Sequence, residues 1–89
     1  LERKDYRSIA AKKIALFLEY VRAKFRLPTS HPNEDFFRQL GGVSGNSPEK
    51  VQDLWQYMSR LEQQKTVSKD ELLELNRRII SFKNMKNGN

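Results

Sequence analysis

Eighty-nine residues make at most one domain; they carry 17 Lys/Arg against 11 Asp/Glu for a net charge of +6, and no cysteine. A chain this short buries only about 60–65% of its unfolded surface, so a well-packed core must supply the stability. Without cysteine there is no disulfide and no thiolate metal site, a reducing compartment is the expectation, and no apolar run approaches the ~18–20 residues of a membrane span.

The positive charge is concentrated at the ends. Residues 1–26 hold eight Lys/Arg against three acids, residues 27–76 hold five against eight, and residues 77–89 hold four against none. Basic ends around a mildly acidic middle predict termini that face something anionic. No signal-peptide pattern is present, and because the chain opens on Leu1 rather than Met, it is expected to be a piece of a longer protein. Residues 1–4 read as a basic linker or juxtamembrane segment, 5–82 as the helical domain and 83–89 as a frayed tail.

Turn signals at 27–33, 41–48 and 64–68 divide the chain into helical segments, with no strand-like alternation between them. The first helix is predicted over Asp5–Arg26, ending before Pro28. Its main stripe is Ala10, Ile14, Phe17, Leu18, Val21 and Phe25, spread over an arc of about 100°. A second stripe, Ile9, Leu16, Tyr20 and Leu27, lies nearly opposite. Two apolar faces suggest either a central helix packed on both sides or an exposed edge that meets a partner helix.

A short second helix is predicted over Glu34–Leu40, capped by Asn33 or Ser30 and stopped by Gly41-Gly42. Ser47-Pro48-Glu49 opens a third, whose core stripe is Val51, Leu54, Trp55, Met58 and Leu61. Ser68-Lys69-Asp70-Glu71 is a capping box for the fourth, with Val67 and Leu72 at the positions of a hydrophobic staple. Leu72, Leu73, Leu75, Ile79, Ile80 and Phe82 then spread over about 180°, with Asn76 in the middle of the arc as the expected buried asparagine. The fold class is all-α, a compact bundle of three long helices and one short one.

No catalytic set emerges. His31 is the only histidine and sits in a loop without an acid-Ser or Cys partner, and zinc there would need carboxylates for every other ligand. Glu34/Asp35 and Asp70/Glu71 fall in first helical turns, where the helix dipole accounts for them. Gly41-Gly42-Val43-Ser44-Gly45 lacks the Lys-Ser/Thr of a P-loop. Trp55 lies on a core stripe, so packing explains it. The domain reads as non-enzymatic, with no cofactor and no metal.

Two binding roles remain. Arg3, Lys4, Arg7, Lys12 and Lys13 are candidates for an anionic membrane surface, with Ile9, Leu16, Tyr20 and Leu27 or the 27–47 loops facing a protein partner. The alternative is a helix-turn-helix-like nucleic-acid domain that reads bases with Ser47–Gln64 through Lys50, Gln52, Gln56 and Arg60. Glu49, Asp53 and Glu62 on the same helix make its charge unfavourable for approaching phosphates.

The order of features carries a resemblance. Arg3, Lys4 and Arg7 lead into a long helix ending Phe25-Arg26-Leu27-Pro28, followed by Asn33-Glu34-Asp35-Phe36-Phe37-Arg38-Gln39-Leu40. Ser47-Pro48-Glu49-Lys50-Val51 and Val67-Ser68-Lys69-Asp70-Glu71-Leu72 complete it. Across residues 3–82 this resembles the C-terminal cytoplasmic tail domain of an uncharacterised bacterial membrane-protein family, a domain of unknown function. Members join a glutamine-amidotransferase-like region to a transmembrane helix and a small helical tail. Their genes neighbour those of MoxR-type AAA+ ATPases and von Willebrand factor A proteins. The resemblance implies no catalytic residues here, and places Leu1 just inside the membrane, where Lys/Arg accumulate.

Overall fold

The computed structural model describes residues 5–84, whose regular elements are α1 (Tyr6–Phe25), α2 (Glu34–Ser44), α3 (Pro48–Gln63) and α4 (Lys69–Asn84). The expected all-α bundle is what forms, with α2 the shortest helix. The predicted linker at 1–4 and most of the predicted tail lie outside the described residues, while α4 continues through Lys83 and Asn84.

Each helix starts where a side-chain acceptor meets an N–H that the helix itself leaves unpaired. Asp5 accepts from the Ser8 N–H at 3.2 Å, Asn33 from Phe36 at 2.9 Å and Ser47 from Lys50 at 3.1 Å. At α4 the capping box is reciprocal: the Glu71 N–H donates to Ser68 Oγ at 3.1 Å, and the Ser68 N–H donates to Glu71 Oε1 at 2.9 Å. Val67 and Leu72, the staple pair, are both buried. α1 ends in a left-handed turn at Arg26 (φ 60°), whose N–H donates to the Arg22 carbonyl.

The end of α2 differs from the sequence expectation. Gly41 and Gly42 do not stop it; the helix runs through both and ends at Gly45, which takes the left-handed conformation with φ 83°. A glycine inside a helix costs only about 1 kcal/mol, so it ends one only where the backbone turns left-handed. Gly41 serves a different purpose: a Cβ there would lie 2.7 Å from the Asn46 carbonyl oxygen and 3.2 Å from the Pro48 nitrogen. Its bare Cα lets the start of α3 pass directly against α2.

Asn46, in that passage, is the buried asparagine; its Nδ2 donates to Ser44 Oγ at 3.0 Å and to the Phe82 carbonyl at 3.3 Å. Asn76, expected in that role, is half-buried.

The most enclosed helix is α3, not α1. Its buried residues Val51, Leu54, Trp55, Tyr57, Met58 and Leu61 span an arc of about 160°, whereas Ala10, Ile14, Phe17 and Val21 of α1 span only about 60°. Tyr57, absent from the predicted stripe, widens the arc; its hydroxyl donates to the Glu71 carbonyl at 3.0 Å. On α4 the buried set is Leu72, Leu75, Ile79 and Phe82, about 80° of the predicted 180°. Leu73 and Ile80 remain outside it.

Aromatic rings join the helices. Trp55 packs on Phe36 of α2 (5.2 Å between centroids) and on Phe17 of α1 (5.6 Å), and Phe17 meets Phe82 of α4 edge-on at 5.2 Å. Arg7, near the start of α1, donates through Nε to the Gln64 carbonyl just beyond α3 at 2.7 Å. Phe25, at the other end of α1, faces Phe82 at 6.5 Å. These two contacts make α1 antiparallel to α3 and parallel to α4.

The two adjacent glycines of α2 give a sharp test. Gly41→Ala is expected to lower the unfolding free energy by about 1–3 kcal/mol, because backbone must move to admit the methyl group. Gly42, around which a Cβ meets nothing within 4 Å, should instead give a gain of about 0.5–1 kcal/mol on replacement by Ala. Urea denaturation of both variants checks the pair; equal effects would remove the close-approach role assigned to Gly41.

Candidate functional site

Because α1 turns only a narrow arc inward, its opposite face is left to solvent. Ile9 is 41% and Leu16 63% exposed, two helical turns apart on one line. The parallel helix α4 sets Ile80, 49% exposed, beside Leu16. Leu73, two turns earlier on the α4 surface, is exposed as well. Between the helices runs a groove of about 190 Å³ lined by Lys13, Leu16, Phe17, Asn76, Ile79, Ile80 and Lys83. It adjoins a second depression of about 290 Å³ lined by Ser8, Ile9, Lys12, Lys13 and Leu16. Lys13 and Leu16 line both, so the two lie side by side as a trough stepped at Leu16.

The predicted residues divide across the surface. Arg3 and Lys4 lie outside the described residues. Arg7 is taken up by the fold, its guanidinium donating to the Gln64 and Glu62 carbonyls at 2.7 and 3.4 Å. Lys12 and Lys13 reach the trough. Of the second stripe, Ile9 and Leu16 stand together in it. Tyr20 is half-buried, stacked against Phe17 at 6.1 Å with the Lys83 ammonium 4.5 Å from its ring centroid. Leu27 sits elsewhere, in a depression shared with Pro28, His31 and Phe36. The stripe is thus part core, part surface, because the left-handed turn at Arg26 breaks the helical line before Leu27.

The α3 candidates do not form one exposed set. Lys50 Nζ donates to Ser81 Oγ at 2.9 Å, tying α3 to α4, and the Arg60 guanidinium stacks 5.1 Å from the Tyr57 ring centroid. Gln52 and Gln56 are exposed. His31 is an exposed loop residue whose Nδ1 lies 3.2 Å from Ser30 Oγ. Among the described residues no three His, Cys, Asp or Glu side chains converge as metal ligands would, and no helix is long and apolar enough to cross a membrane.

Sequence reasoning missed the α4 half of the trough, Ile80 and Lys83. The signal was present in the 180° apolar arc, which is wider than one buried face requires.

The electrostatics of α4 leave the trough basic. Glu74 pairs with Arg77 at 2.8 Å and with Arg78 at 2.8 Å, and the Arg78 hydrogen bond holds its carboxyl below the ordinary range. Arg78 also lies 4.5 Å from the Tyr57 ring centroid. Burial, then the neighbouring Glu71 charge, pushes the Tyr57 phenol above its ordinary value. Lys12, Lys13 and Lys83 have no carboxylate of the described residues within ion-pair distance.

The family model described as the DUF4350 C-terminal helical domain matches residues 1–86. The chain belongs to this family. No curated protein and no solved structure shows significant similarity to it. Family membership brings no assigned activity, so the α1–α4 trough stands on its geometry.

Glu71 gives this region a pH dependence of known sign. The Ser68 backbone N–H, then Gln64 Nε2, hold its carboxyl below the ordinary value, as Arg78 does for Glu74. Both groups therefore add stability that is complete above the ordinary glutamate range, about pH 4.3, and is lost as pH falls through their lower folded values. Thermal melts from neutral pH into acid should show Glu71→Gln/Glu74→Gln less stable at neutrality, with a shallower acid decline. An unchanged acid slope would remove these two carboxylates as its source.

Proposed function

We propose that this domain is a non-enzymatic protein-interaction module that docks its partner along the α1–α4 trough. The observation that carries the reading is the set Ile9, Leu16, Leu73 and Ile80, each more than two-fifths exposed, on the surface of two parallel helices in a chain of this size. Single exposed apolar residues need no explanation, but Ile9, Leu16 and Ile80 line the trough over a packed floor, which marks a contact surface. The floor is already built: Phe17 and Ile79 are both buried and line the groove.

The proposal includes a setting. The domain sits on the cytoplasmic side of a membrane as part of a longer anchored chain, downstream of a glutamine-amidotransferase-like region. In this setting its gene neighbours those of MoxR-type AAA+ ATPases. Arg3 and Lys4 support that placement, since basic residues near an anionic leaflet gain about 1 kcal/mol each. Nucleic-acid binding through α3 has less support. Lys50 and Arg60 are engaged within the fold, and Glu49, Asp53 and Glu62 share the helix with them.

Site-specific photo-crosslinking in the intact membrane-anchored chain tests the reading. A photoreactive residue at Leu16 or Ile80 is expected to capture a protein, and one at Gln52 or Gln56 is not. Leu16→Asp should leave stability within about 0.5 kcal/mol, as an exposed substitution does, yet abolish capture from position 80. Capture from α3 alone, or recovery of nucleic acid, would overturn the proposal.

A further inference from the structure

We infer that the occupant of the trough is an acidic amphipathic helix, a statement that rests on the docking reading above and adds the partner's chemistry. Three features of the trough define what fits. First, Ile9 and Leu16 stand seven residues apart on α1, about 10 Å along the axis, and Ile80 of α4 faces Leu16 across the groove. A helix laid between them presents apolar side chains at i, i+3 or i+4, and i+7 with the same pitch. Second, Leu16 and Ile80 form walls and Phe17 and Ile79 the floor, so the apolar surface is recessed. Side chains projecting from a helix enter such a recess, whereas a bilayer meets ridges. Third, the charge is of one sign. Lys12 and Lys13 stand on the α1 side and Lys83 on the α4 side, and no acidic residue lines either depression.

Charge selects among occupants that would all satisfy the apolar groove. A second copy would bring the same lysines to the same place, because a two-fold interface sets like patches against each other. A basic or neutral helix would bury apolar area but leave three ammonium groups facing no anion. A helix with Asp or Glu flanking its apolar face would place carboxylates over Lys12 and Lys13 on one wall and Lys83 on the other, which fixes its orientation and speeds its capture. Glu19, one turn past Leu16 on α1, lines neither depression and leaves that balance intact.

The test is selection from a yeast-displayed library of helical peptides with randomised faces, against the folded domain and three variants. Leu16→Asp removes an apolar wall at an exposed position. Lys13→Glu/Lys83→Glu reverses both rims, and Gln52→Glu/Gln56→Glu adds charge on α3 as a control. Circular dichroism confirms that each remains helical. Selected peptides are expected to carry Leu, Ile or Phe at i, i+3 or i+4, and i+7 with Asp/Glu beside them. Their binding should fall by about tenfold or more with Leu16→Asp, the scale of one lost buried aliphatic side chain, and weaken with added salt. The rim-reversed protein should select Lys/Arg flanks instead, and the α3 control should behave as the parent. Peptides that occupy the trough with neutral or basic flanks would overturn the acidic occupant and leave the docking surface standing. Peptides insensitive to Leu16→Asp would overturn both. So would a domain that selects no peptide but binds phosphatidylglycerol vesicles through Leu16.

Discussion

The tilted contact between Phe17 and Trp55, with ring centroids 5.6 Å apart, joins two aromatic groups that would otherwise be separate. On one side Trp55 gathers Phe36 and Phe37 of α2; on the other Phe17 gathers Tyr20 and Phe82, with Phe25 beyond them. Large rings bury more area per residue than any other side chains, and a chain of this length has few positions with which to build a core. Setting Phe17 against Trp55 lets seven rings act as one body across four helices. The caps and the close passage at Gly41 then set how each helix approaches that body.

The surface follows from this arrangement. Since α3 carries the wide buried arc, α1 and α4 are each pinned along a narrow one, and their remaining apolar residues have no interior left to enter. Ile9, Leu16, Leu73 and Ile80 are outside because Trp55, Tyr57 and Met58 occupy the inside. On α4, Glu74 pairs with both Arg77 and Arg78, whereas Lys12, Lys13 and Lys83 have no carboxylate of the described residues beside them, so the same economy that builds the core leaves an apolar trough with basic rims.

The sequence was legible where the deciding interaction is local. Asn33, Ser47 and the Ser68–Glu71 pair each act within three residues, so the helix starts could be read directly. Gly41 was misread because its role depends on Asn46 and Pro48 crossing over it, a contact that no short-range pattern encodes. Asn46 and Asn76 exchanged roles for a similar reason: burial of the first depends on the Phe82 carbonyl, 36 residues away. Both apolar stripes of α1 were visible, but which neighbours would cover them depends on how much of the core α3 claims, and Tyr57 gave no sign of joining it. Half of the trough was therefore named from sequence, and the α4 half emerged only once the two helices were set side by side.

The parallel course of α1 and α4 has a mechanical consequence. Tyr6 starts α1 and Asn84 ends α4, and with Lys83 over the Tyr20 ring the two points lie about 20 Å apart along the shared axis. Tension applied between these two points slides α1 past α4 along their whole contact, so Phe17, Phe25 and Phe82 resist together instead of parting one after another. Extension between these two points is thus met in shear along the α1–α4 seam, while the flank that carries Leu16 and Ile80 remains open.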